Sequence, residues 1–86
     1  MDDLEARVTG ILAAQALIDP ASVAPDARLE DLGLDSLGLV EAIFAIEETF
    51  GVQVPFNANA PEASGFDIST VASVVEGVRR LVAARA

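Results

Sequence analysis

The sequence predicts an all-α domain of three substantial helices and a short fourth element, with a long loop between the first two. Three observations predict it. Apolar residues recur at helical spacing in three separate stretches. All four prolines, Pro20, Pro25, Pro55 and Pro61, fall between those stretches, together with Gly51 and Gly65. The one alternating segment, Val52-Gln53-Val54, stops at Pro55 and is too short to build a sheet.

Leu4, Val8, Ile11, Leu12 and Gln15 or Ala16 share one face, so the first helix is expected from about residue 2 to 17. Asp2 and Asp3 stand at its start, where the helix dipole favours negative charge. Pro20 and Pro25 enforce a loop, because each lacks a backbone donor and disfavours helix in the residue before it. Leu29, Leu32 and Leu34 are spaced to fold back as an apolar lid. So long a loop in a small domain is itself a sign of function.

Asp35 is the expected N-cap of a second helix over Ser36 to Phe50, stopped by Gly51. Its residues divide into two faces. Leu39, Ile43, Ile46 and Phe50 form a buried stripe. Leu37, Val40 and Phe44 point elsewhere, interleaved with Glu41, Glu47 and Glu48. A second buried stripe is one explanation of that set. Carboxylates flanking it argue against burial and for a docking surface.

Phe56 to Gly65 is small, polar and interrupted by proline, and is expected to end in a helical turn around Phe66 to Ile68. Val71, Val74, Val75, Val78, Leu81 and Val82 give the last helix, from Ser69, with Asp67 or Ser69 as its cap. Its closing arginines suit the negative end of the dipole.

Composition narrows function further. A chain of 86 residues has room for one domain, taken as residues 1–86, with a thin core rich in alanine and valine. It holds no histidine and no cysteine, which excludes Ser-His-Asp and Cys-His nucleophiles, disulfides and thiolate metal sites. The acids from Asp26 to Asp35 lack the spacing of a calcium loop, so no metal site is expected. The acidic start, Met1-Asp2-Asp3, is unlike a secretory signal, and no apolar run reaches membrane length. A cytoplasmic monomer is the expectation.

Net charge is −9, from 14 acids against five arginines. Seven of the acids (Asp26, Glu30, Asp31, Asp35, Glu41, Glu47 and Glu48) lie between Asp26 and Glu48, with Arg28 the single base among them. Such a balance disfavours nucleic acid and anionic membrane and favours partners with basic surfaces. Solubility alone explains a negative charge, though not its concentration around Ser36.

Ser36 stands where loop becomes helix. A lone serine there is usually a cap, but Asp35 can cap one residue earlier and leave the Ser36 hydroxyl free. The first turn of a helix also offers unpaired N–H groups and a positive dipole end to a phosphoryl group on that hydroxyl. With no base to activate it, the serine reads as a target of another enzyme. That points to a carrier and not a catalyst.

Gly33-Leu34-Asp35-Ser36-Leu37, followed by Val40-Glu41 and by Ile46-Glu47-Glu48-Thr49-Phe50-Gly51-Val52-Gln53-Val54-Pro55, resembles the acyl carrier proteins. The resemblance runs from the first helix to Ile68-Ser69-Thr70-Val71. It implies a four-helix bundle of three longer helices and a short third one. It also implies a covalent 4′-phosphopantetheine on Ser36, installed from coenzyme A by a phosphopantetheinyl transferase, whose thiol holds acyl groups as thioesters. By the same resemblance Asp35 helps to place the transferase's magnesium ion or coenzyme A. Leu37, Val40, Glu41, Phe44, Glu47 and Glu48 then contact acyl-processing enzymes of fatty-acid, lipid or polyketide biosynthesis. Leu39, Ile43, Ile46, Phe50 and Val71 line the space that shelters the acyl chain.

Departures from the family pattern point to a specialised carrier. Phe56 to Gly65 has a single acid where housekeeping carriers are strongly acidic, position 38 is glycine, and the tail has arginines in place of lysines. Two rivals stand beside this reading. One is a discrete peptidyl or aminoacyl carrier. The other is a small acidic interaction module, in which Ser36 is only structural.

Overall fold

A computed structural model describes residues 2–55 and 67–85. Among these residues there are three α-helices, α1 (Asp3–Ala16), α2 (Ser36–Phe50) and α3 (Val71–Arg85), and no strand. The fold class is therefore all-α. Of the helical turn expected around Phe66 to Ile68, Phe66 lies outside the described residues, and Asp67 and Ile68 are not helical.

Helix α1 begins where Asp2 accepts a hydrogen bond from the Glu5 N–H at 2.8 Å. It ends at Leu17, which takes the left-handed conformation (φ 60°, ψ 41°) usually reserved for glycine. The Leu17 and Ile18 amides close that turn on the Ala14 and Ala13 carbonyls at 3.3 and 3.0 Å. Val8, Leu12 and Ala13 bury one side of the helix. That side packs against both α2 and α3, which makes α1 the hub of the bundle.

The long loop is more ordered than its sequence suggests. It contains two 3₁₀ turns, Pro20–Ser22 and Leu29–Leu32. Asp19 caps the first through the Ala21 N–H at 2.9 Å, with proline at the opening position. The second seats Leu29 in the core and rests Leu32 and Leu34 against it.

Helix α3 starts two residues later than expected, and neither Asp67 nor Ser69 is its cap. Thr70 and Ser73 cap it reciprocally. The Ser73 N–H donates to Thr70 Oγ1 at 3.1 Å, and the Thr70 N–H donates to Ser73 Oγ at 3.0 Å. Asp67 instead folds a local bend, accepting from the Ser69 N–H and hydroxyl at 2.9 and 2.6 Å. Val71, Val74, Val75 and Val78 supply the buried side of α3. Backbone bonds then fix the loop to its start: Leu29 N–H to the Ser69 carbonyl, Val71 N–H to Ala27, and Ala72 N–H to Pro25, at 3.2, 3.0 and 2.8 Å.

Candidate functional site

Ser36 is the first residue of α2 and is exposed. Asp35 is the cap: its side chain accepts from the Gly38 N–H at 2.7 Å and its carbonyl from the Leu39 N–H at 2.9 Å. Those two bonds satisfy the inner amides of the first turn. The Ser36 and Leu37 amides are left over, and no described residue bonds to the Ser36 hydroxyl. Exposed hydroxyl, spare amides and dipole end suit a phosphodiester on this oxygen, so the residues present fit a phosphopantetheine.

Glycine at 38 brings one constraint to this turn. A β-carbon there would sit 3.2 Å from Asp35 Oδ1 and 3.4 Å from the Leu34 side chain, so the capping carboxylate and Leu34 would have to give slightly.

The outer face of α2 is a line of four residues stepping by four, three and four: Leu37, Glu41, Phe44 and Glu48. Leu37 and Phe44 are 67% and 62% exposed, far more than an apolar side chain of an ordinary helix in a bundle. Acid and hydrophobe alternate along it. Val40 and Glu47 lie at the edge of this face and are half-buried.

Glu47 is committed inside the molecule. Its Oε2 accepts from the Val54 N–H at 2.8 Å, and its backbone carbonyl accepts from the Gly51 and Val52 amides at 2.8 and 3.2 Å. Gly51 makes that turn possible with φ 65°. The turn returns the chain to the bundle and buries Val54 in the core.

On the opposite side of α2, Ile43 and Ile46 are buried, and Leu39 and Phe50 pack partly buried against the core. An open cleft of about 200 Å³ lies between the start of α2 and the approach to α3. Its apolar wall is Leu29, Leu34, Leu39 and Ile68; its polar rim is Arg28, Glu30 and Ser69. Of the five residues expected to shelter an acyl chain, Leu39 lines this cleft. Ile43, Ile46 and Val71 belong to the closed core. Arg28 and Glu30 pair across the rim at 3.2 Å, both well exposed.

Sequence reasoning did not single out Leu29, Leu34, Arg28 or Ile68 as cleft residues. Their meeting depends on backbone bonds between 25–29 and 69–72, which no local spacing announces. The Leu29 and Leu34 lid was the available signal.

Arg79 donates to Asp2 at 2.7 Å, and this bond, with the Glu5 amide, holds the Asp2 carboxyl below its ordinary range and raises Arg79. Hydrogen bonds from Ser69 likewise lower Asp67. No helix among the described residues is long and apolar enough to cross a membrane.

Comparison with known proteins points to one family. The family described as "Phosphopantetheine attachment site" matches residues 6–78. An acyl carrier protein of Thermosynechococcus vestitus is 39% identical over 79 residues, covering 91% of this chain and 90% of that one. The acyl carrier protein of Helicobacter pylori (strain G27) is 47% identical over 49 residues, 56% of this chain and 63% of its own. Acyl carrier protein AcpXL of Rhizobium etli is 34% identical over 65 residues, 74% of this chain and 71% of its own.

Proposed function

The chain belongs to the acyl carrier protein family, whose prosthetic group is 4′-phosphopantetheine, and on that premise we propose that Ser36 is the attachment residue. The observation that carries this is the Asp35 cap, which leaves the adjacent hydroxyl exposed at the head of α2. In the transfer, Ser36 Oγ attacks the β-phosphorus of coenzyme A. Its proton goes to a base of the transferase, and adenosine 3′,5′-bisphosphate leaves. The arm then supplies the thiol that a chain without cysteine lacks.

The chain's own residues serve that arm in three ways. Asp35 fixes the first turn and keeps one carboxylate oxygen available beside Ser36 for the transferase's magnesium ion or coenzyme A. Leu37, Glu41, Phe44 and Glu48 form the face on which basic surfaces of the transferase and of acyl-processing enzymes dock, with Val40 and Glu47 at its edge. The cleft beside Leu34 and Leu39 takes an acyl chain, with the further expected residues Ile43, Ile46, Phe50 and Val71 behind it.

On this reading residues 1–86 form one carrier domain that catalyses nothing itself. It works as a cytoplasmic monomer and delivers acyl thioesters to fatty-acid, lipid or polyketide enzymes. It engages neither nucleic acid nor membrane. The apolar cleft wall favours acyl over aminoacyl cargo, because burying an ammonium there is costly. The test is intact mass after incubation with coenzyme A, magnesium and a broad-specificity transferase. One phosphopantetheine is expected on the native protein and none on Ser36→Ala. Absence of the addition from the native protein overturns the proposal.

A further inference from the structure

Glu47 is the one acid of the α2 acid–apolar face region whose carboxylate is bonded to a backbone amide of the same molecule, among the described residues. Its neighbour Glu48 is exposed, and Glu41 lies exposed nearly two turns before it. Glu47 is half-buried at the edge of the same face, with Oε2 on the Val54 N–H at 2.8 Å. The bond spans seven residues and holds the end of the turn that inserts Val54 into the core, where the valine is 7% exposed. One carboxylate therefore borders the docking face and also anchors a core residue.

An arginine approaching this face can meet Glu47 in two ways. A single N–H on Oε1 leaves the Val54 bond in place, since a carboxylate has about four acceptor sites. A side-on guanidinium takes both oxygens, which is the preferred geometry of such pairs, and competes directly with the Val54 amide. In the second case docking withdraws the acceptor that seats Val54.

We propose that Glu47 is a positioning residue that couples the two: pairing of a guanidinium-bearing partner surface with its carboxylate releases the Val54 N–H and loosens the seat of Val54 in the core. This rests on α2 being the docking face. The partner chemistry is an arginine-rich protein surface. Lysine, a point charge without the planar fork, releases Val54 less.

Amide hydrogen exchange at Val54, read by NMR on the full chain, tests the coupling, with hexa-arginine and hexa-lysine peptides as probes. Binding is followed independently from the amide shifts of Glu41 and Glu48. At saturating hexa-arginine, Val54 exchange is expected to rise by about tenfold, the factor that losing roughly one hydrogen bond's net contribution gives. Hexa-lysine gives a smaller rise. Glu47→Gln keeps an acceptor for the Val54 amide but lacks the charge, so its exchange stays slow and stops responding to peptide. Glu48→Gln weakens binding and keeps the full Val54 response at saturation. Peptide that shifts Glu41 and Glu48 but leaves Val54 exchange unchanged overturns the coupling while the docking face stands. Peptide that shifts neither glutamate overturns the docking face and the coupling with it.

Discussion

The Asp35 side chain caps α2 through one 2.7 Å bond to the Gly38 amide. Replacing an N-cap aspartate by alanine costs about 1 kcal/mol. Asp35→Ala should lower stability by about that amount in urea unfolding, and should also slow phosphopantetheinylation. Asp35→Asn separates the two effects, since asparagine caps as well as aspartate but brings no charge near the magnesium ion. Normal stability with slow transfer is the expected result for it. Transfer at the native rate in Asp35→Asn would remove the carboxylate from the proposed chemistry.

Leu17 is unusual in a different way. It is 90% exposed and held at φ 60°, where a side chain costs roughly 1–2 kcal/mol relative to the right-handed conformation. Glycine has no such cost, so Leu17→Gly should raise the urea midpoint, by up to about 1 kcal/mol in free energy. A fall in the midpoint would mean that the leucine makes contacts which outweigh its backbone strain.

At the scale of elements, what was legible in the sequence is what local rules decide. Helix α2 matches its expected bounds because Asp35 and Gly51 mark both ends by short-range bonds. Helix α3 was misplaced by two residues because Asp67, Ser69 and Thr70 are all credible caps, and the Thr70–Ser73 reciprocal pair outcompetes the others. The outer face of α2 was legible as a mixture of acid and hydrophobe. Its internal division was not, since the Glu47–Val54 bond depends on where the chain goes after Gly51. The cleft was illegible for the same reason: it exists because the loop around Arg28 is bound to the start of α3.

The proposed docking face gives its own prediction. Glu41→Lys with Glu48→Lys should slow association with the transferase, and salt should weaken the native complex, because exposed charges steer encounter. Phe44→Ala should act through faster dissociation, since it removes a large exposed apolar anchor and little charge. Surface plasmon resonance resolves the two rates. Unchanged association after double charge reversal would mean that partners dock elsewhere.

At the scale of the whole molecule, Arg79 in the middle of α3 reaches back to Asp2 and ties α3 to the head of α1. The bond depresses the Asp2 carboxyl below its ordinary value of 3.8. A depressed acid contributes stability that is present above the unfolded pKa and is lost as pH falls through the folded one. Asp2→Asn retains a capping side chain and removes the charge, so it isolates the Arg79 contact. The stability gap between native protein and Asp2→Asn should be present at neutral pH, close as pH falls below 3.8, and narrow with salt because the pair is exposed. A gap that stays constant down the acid limb of the unfolding curve would assign it to something other than this carboxylate.

On the proposed reading, the cleft makes cargo a stability variable for the whole bundle. An octanoyl chain against Leu29, Leu34, Leu39 and Ile68 gains at most about 0.8 kcal/mol per buried CH₂, and less where it must open its own space. The octanoyl form should therefore melt above the form with a bare thiol, and an aminoacyl form should not. Three coincident melting curves would leave the cargo in solvent.

All of this depends on where the arm is joined. The chain has five serines, Ser22, Ser36, Ser64, Ser69 and Ser73, and among the described residues only Ser36 heads an α-helix. Fragmentation mass spectrometry of the modified protein, mapping the phosphopantetheine to a residue, is the most direct measurement. The account predicts a single addition, on Ser36. An addition on any other serine, or none after treatment with transferase and coenzyme A, would contradict it.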